Sequence, residues 1–179
     1  MLQITSLLVI LALFAIATSN AIKAKGSRCY VADSIINEDS DKYLLSKEAG
    51  QRHRLAFGFP SNRAYHTEWM VFIMRYRGKA VLQFVHKDNG QCQFLTQQPG
   101  AKTLSLTEPR RCRTYFVDTR TLFATNAGPI QRRRYISSFL TPDKVLGGMR
   151  RNIVLTSKSD KHHMSFWRIN LNDQKICGV

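Results

Sequence analysis

Hydrophobic positions along the chain come in short runs. They are YLL from Tyr43, LAF at 55–57, EWMVFI around Trp69, VLQFV from Val81, FL at Phe94 and Leu95, RTYFVD around Tyr115, YISSFL from Tyr135, IVL at 153–155 and SFWRIN around Trp167. These runs are rich in β-branched and aromatic residues, which suit a pleated, half-buried surface. Turn chemistry separates them, at Asp88-Asn89-Gly90, Gln98-Pro99-Gly100, Gly128-Pro129 and Gly147-Gly148. Past the first 21 residues, no window repeats its apolar positions at the 3.6-residue period of an amphipathic helix. The pattern predicts an all-β chain.

The start of the chain is the exception. MLQITSLLVILALFAIATSNA is uncharged and apolar and ends in the small-residue pair Ser19-x-Ala21, so residues 1–21 read as a secretory signal peptide, although the usual basic flank is missing. Its apolar centre, residues 7–17, is shorter than the ~20 residues that cross a bilayer. No later segment is apolar enough to span. The expectation is a secreted, extracellular protein that is not inserted in a membrane once the signal is cleaved, with residues 22–179 forming a single domain.

The four cysteines are Cys29, Cys92, Cys112 and Cys177. An even number in a chain bound for an oxidising compartment favours disulfides over a metal reading, and no CxxC or HExxH spacing argues back. Three pairings are possible. Cys29 with Cys177 and Cys92 with Cys112 is favoured, because the outer pair would tie the chain ends together. No Asn-x-Ser/Thr triplet is present, so N-glycosylation is not expected.

Three aromatic-x-aliphatic pairs recur: Trp69-x-Val71, Tyr115-x-Val117 and Trp167-x-Ile169. Upstream of each lies a short apolar run (LAF, FL, IVL), and upstream again another (YLL, VLQFV, YISSFL). Three weak repeats of about 45–50 residues resemble the β-trefoil, in which three four-stranded units close a six-stranded barrel capped by a triplet of hairpins. The resemblance implies that the first and last strands are neighbours, which would bring Cys29 beside Cys177. It also implies that Trp69, Tyr115 and Trp167 are core positions. A β-sandwich with a chance echo is the competing reading.

Charge changes the picture next. The chain carries 27 Lys and Arg against 12 Asp and Glu, a net charge of +15. Between residues 110 and 161 twelve basic residues face three acids, and the runs EPRRCR, QRRRY, MRRN and KSDKHH abut strand candidates, which places them on loops. Arginine forks match sulfate, phosphate and carboxylate bidentately. A secreted protein meets sulfated glycans far more than free nucleic acid, and these runs lack the aromatic interleaving of a specific nucleic-acid reader. The expected partner is a sulfated glycosaminoglycan, and the expected polyanion-binding residues are Arg132, Arg133, Arg134, Arg150, Arg151, Lys158 and Lys161. Cleavage at Arg110-x-x-Arg113 or at the Arg132–Arg134 tribasic run would cut the repeat pattern, which argues against a processed precursor.

No catalytic spacing emerges. His162-His163, with Asp160 nearby, is the most tempting pair, but consecutive side chains of a strand point to opposite faces and rarely share one metal or substrate atom. Neither a Gly-x-Ser-x-Gly elbow nor a phosphate loop is present. The expectation is a protein that is not an enzyme and holds no cofactor or metal.

Among trefoil families, the Gln-x-Trp signature of ricin-type lectins is missing at both tryptophans. The fibroblast-growth-factor cysteine signature is not matched by GQCQFLTQQPG. Plant Kunitz-type inhibitors share this length and four cysteines, but close each pair within the chain. What the resemblance implies is a monomeric secreted binding protein of the fibroblast-growth-factor-like or interleukin-1-like type, recognising a receptor or another extracellular protein besides the glycan. The alternatives are a Kunitz-type protease inhibitor with an exposed basic loop around residues 61–65, and a structural component of the matrix or of a secretion.

Overall fold

The computed structural model describes residues 27–112, 118–125, 134–157 and 165–177. Residues 1–21, read from the sequence as a signal peptide, Tyr115, Gly128-Pro129, Arg132, Arg133, Lys158, Lys161 and the His162-His163 pair lie outside the described residues. The first unit runs through β1 (Arg28–Asn37), β2 (Lys42–Ala49), β3 (Arg52–Gly58), the two-residue β4 (Tyr65–His66) and β5 (Trp69–Tyr76). The second has β6 (Lys79–Asp88), β7 (Gln91–Gln97), β8 (Leu104–Leu106), the short β9 (Arg110–Arg111) and β10 (Phe123–Thr125). The third has β11 (Ile136–Ser138), β12 (Lys144–Met149), β13 (Asn152–Ser157) and β14 (Trp167–Ile176). Glycines supply the tight turns where φ must be positive, as at Gly78 (77°) and Gly90 (73°).

Six strands close a ring. β14 and β5 flank β1, β6 pairs with β5, β10 with β6, and β11 with β10. The backbone of Arg134, just ahead of β11, then exchanges hydrogen bonds of 3.3 and 2.9 Å with Trp167 of β14. Three hairpins remain, β2–β3, β7–β8 and β12–β13. Cross-links join them into a cap. The Phe57 N–H donates to the Arg151 carbonyl (3.2 Å) and the Leu155 N–H to the Lys102 carbonyl (2.6 Å). The buried Gln93 amide accepts from the His53 N–H (2.9 Å) and donates to the carbonyls of His53 (3.1 Å) and Thr107 (2.9 Å). This is the β-trefoil architecture.

The register identifies the equivalent core positions. Trp69, Phe123 and Trp167 open the second barrel strand of their units, and all three are buried in one apolar cluster. Each tryptophan ties the barrel to the first cap strand of its own unit: Trp69 Nε1 donates to the Leu44 carbonyl (3.0 Å), Trp167 Nε1 to the Leu146 carbonyl (2.9 Å). The sequence pattern assigns this place in the second unit to Tyr115, which lies outside the described residues. The structure places Phe123 there, opposite Leu82 and Ser138, and its ring has no N–H to repeat the bond.

Two other sequence expectations need correction. YLL, VLQFV and YISSFL are not equivalent, for YLL falls in the cap strand β2 whereas VLQFV and YISSFL fall on the barrel strands β6 and β11. Gly147-Gly148 is not a turn either. Both are buried inside β12, opposite Val154 and Ile153. A β-carbon at Gly148 would overlap the Phe57 ring, which lies 5.9 Å from the Trp167 ring. The glycine therefore lets the first and third hairpins close on each other.

Two disulfides complete the described chain, Cys29–Cys177 with a Cα–Cα distance of 5.5 Å and Cys92–Cys112 with 5.0 Å. Both pack against a small cluster of Met70, Val85 and Phe94 on the barrel flank.

Candidate functional site

The β12–β13 hairpin turns through Arg150 and Arg151, both exposed. Arg150 has φ of 54°, in the left-handed region where a β-carbon crowds the backbone. The matching turn of the first hairpin, between Ala49 and Arg52, uses Gly50 with φ of 68°. The third unit thus carries an arginine where the backbone favours glycine.

These arginines face the first hairpin across a cleft of about 400 Å³. Its floor is Leu45, Ala56 and Phe57 from β2 and β3, and its rim carries Lys42, Phe59, Ser61 and Tyr65 opposite the arginines. Phe59 is 59% exposed, the most exposed large apolar side chain among the described residues. Lys42 Nζ lies 5.6 Å from the Phe57 ring centroid, and Lys47 Nζ lies 5.1 Å from that of Tyr65. Such cation–π contacts orient the ammonium groups without neutralising them. No carboxylate lines the cleft, so its potential is positive and concentrated by the apolar walls.

The other basic residues singled out in the sequence have different surroundings. Arg134 does not line the cleft: its backbone belongs to the barrel beside Trp167, and its Nε is buried without a hydrogen-bond partner. Arg132, Arg133, Lys158 and Lys161 lie outside the described residues. Arg120 is held by its neighbour Asp118, with Nε–O distances of 3.0 and 2.9 Å and Nη2–O of 2.5 Å. Burial pushes the Asp118 carboxyl up, but the hydrogen bonds and charge of Arg120, with the field of Arg110, outweigh it and hold the group below its ordinary value. Arg52 is likewise bound, 2.7 Å from Glu108.

Sequence reasoning confined the basic face to the third unit, and therefore missed Lys42, Phe57 and Phe59 and read Tyr65 only as the end of a candidate inhibitor loop. Nothing in KYLL or FGFPS points across to a turn about 90 to 110 residues later. Two features were readable, the paired arginines before IVL and the exposed loop around 61–65. The structure brings both to one cleft.

The fold and the cleft define a trefoil with a basic, aromatic-lined cap. No family model matches the chain, and no curated protein does. Among solved structures, a chicken IL-1 hydrophobic cavity mutant is similar with a TM-score of 0.59 at 14% identity, covering 82% of this chain and 97% of its own. The chicken cytokine interleukin 1 beta is similar with a TM-score of 0.57 at 14% identity, covering 81% and 99%. A GlcNAcα1-4Gal-releasing endo-β-galactosidase from Clostridium perfringens aligns over 33% of its length, with 82% of this chain, a TM-score of 0.54 and 11% identity. The likeness is one of fold, a cytokine-like trefoil, and a similar fold also forms part of the longer galactosidase chain.

Proposed function

We propose that the protein is a secreted, non-enzymatic binding protein of the trefoil cytokine or growth-factor type, which holds sulfated glycans in the cap cleft and meets a receptor or other extracellular protein through its loops. One observation carries the reading: Lys42, Arg150 and Arg151 converge on a cleft with aromatic walls and no carboxylate. Arginine forks would take sulfate oxygens bidentately, while Phe59 and Tyr65 offer flat apolar faces to the sugar rings between sulfates. Extension of Arg150 from a left-handed backbone supports a role for its side chain outside the fold. Binding of this kind makes and breaks no covalent bond. Its affinity comes from a rigid cap that needs little ordering when the partner arrives.

Heparin chromatography tests the site. Lys42→Ala with Arg150→Ala and Arg151→Ala should elute at markedly lower salt than wild type, because each lost contact leaves fewer counterions released on binding. A triple change at Arg52, Arg54 and Arg63 removes the same charge elsewhere and should shift elution less. Equal shifts would mean that net charge alone governs retention and would remove the cleft from the account. The inhibitor alternative gains nothing from the loop at 61–65. Asn62 Oδ1 accepts from the Ala64 N–H (3.0 Å) and its carbonyl from the Tyr65 N–H (3.2 Å), which curls the loop rather than extending it for a protease.

A further inference from the structure

Three histidines from three strands stack together where the first hairpin meets the barrel: His53 of β3, His66 of β4 and His86 of β6. Their ring centroids are 5.1 Å (His53–His66), 4.3 Å (His53–His86) and 5.3 Å (His66–His86) apart. His53 is bonded at both nitrogens, Nδ1 lying 3.4 Å from Ser46 Oγ and Nε2 lying 3.2 Å from Asp88 Oδ2. His66 Nε2 lies 3.2 Å from Glu48 Oε1. His86 differs from both. It is 3% exposed, its ring stands edge-on to Trp69 at 6.0 Å, and neither of its ring nitrogens makes a hydrogen bond of good geometry, the Glu68 backbone exerting only a weak pull.

Orphaned buried nitrogens need a reason. Among the described residues no three such side chains are placed to hold a metal ion. In a neutral imidazole one ring nitrogen carries no hydrogen and can take up a proton. The titratable and charged groups around His86 are Glu48 on β2, His53 on β3, His66 on β4, Glu68 before β5, and Lys87 and Asp88 on β6, while β7 sets the neutral Gln93 opposite it. Glu48 and Asp88 are engaged by His66 and His53, so no carboxylate is hydrogen-bonded to His86. A cavity of about 220 Å³, lined by His66, Glu68, Trp69, His86 and Lys87, lies beside the ring.

We infer that this cluster is an acid-sensitive latch: protonation at His86 is incompatible with its packing between His53 and His66, so mild acid loosens β2, β3 and β4 from the barrel. Burial first, then the charges of His53 and His66, against weaker opposing pulls from Asp88 and the Glu68 backbone, lower His86 from 6.5 to about 4. The unfolded chain takes a proton below 6.5 and the folded chain only near 4. Stability from this group is therefore complete above pH 6.5 and lost progressively as pH falls toward 4. β4 carries Tyr65 beside His66, so release would also open one wall of the cap cleft. The latch does not depend on what that cleft binds. Histidine-gated loosening at pH 5–6 is the chemistry a protein uses to change state in an acidified compartment.

The test uses the mature chain with both disulfides intact. Denaturant unfolding at pH 7.5 and 5.5 should give a folding constant that drops about tenfold more in wild type than in His86→Phe, which keeps a ring and cannot charge. Amide exchange at pH 5.5 should release the β2, β3 and β4 amides before those of β1, β5 and β14. Should His86→Phe fail to fold, ring NMR of the wild type decides, with His86 expected to be neutral in native molecules at pH 5.5. A variant with the full wild-type loss overturns the latch. So does a protonated His86 ring in a chain whose β2–β4 amides stay protected.

Discussion

Gly148 and Arg150 stand two residues apart and answer to opposite demands. Gly148 has no side chain because the Phe57 ring occupies the space, and Phe57 is buried against Trp167, with little room to retreat. Gly148→Ala should therefore cost about 1–3 kcal/mol through overpacking, read as a lowered denaturant midpoint with an unchanged slope. Arg150 has a side chain where the backbone would prefer none. Arg150→Gly should leave stability unchanged or raise it by up to about 1 kcal/mol, yet it should elute earlier from heparin. A variant that is less stable and keeps full retention would mean the arginine is there for the fold. Of these residues, the sequence shows Arg150 as part of a basic run, but the Gly147-Gly148 pair reads as a turn. Its true place depends on a ring from another hairpin, which no local pattern records.

At the scale of elements, the cap is three hairpins joined by few polar contacts, and Gln93 is the densest of them. Its amide serves the His53 N–H, the His53 carbonyl and the Thr107 carbonyl at once, inside a buried junction. Gln93→Leu strands those backbone groups and should cost about 2–3 kcal/mol, with amide exchange quickening first in β3 and β8. An equal loss of protection in β1 and β14 would show that the cap and barrel unfold together. Strand existence was legible here from Val, Ile, Phe and Tyr enrichment and from turns such as Asp88-Asn89-Gly90. Strand equivalence was not. YLL and VLQFV look alike as sequence, and only pairing reveals that one caps the barrel while the other builds it.

For the whole molecule, the Cys29–Cys177 bond spans 148 residues and joins β1 to the chain end where β14 already lies alongside it. In the chain-entropy account, closing so long a loop stabilises by about 5 kcal/mol. Cys29→Ser with Cys177→Ser should thus lower the thermal midpoint more than Cys92→Ser with Cys112→Ser, whose bond spans 20 residues. The reverse order would point to strain or denatured-state structure rather than loop closure. The amino-acid order alone determined the local chemistry: β-rich runs, turns at glycine, an even set of cysteines, two tryptophans in repeated settings and a large positive charge. Those are properties of a residue and its near neighbours, and they survive whatever the chain does next. Which runs face each other was decided by closure of the barrel, because strand pairing is nearly degenerate until the ring is complete and the cap hairpins must share one core. Closure put Phe123 in the layer of Trp69 and Trp167, set Lys42 opposite Arg150 and Arg151, and pressed three histidines from separate strands into contact.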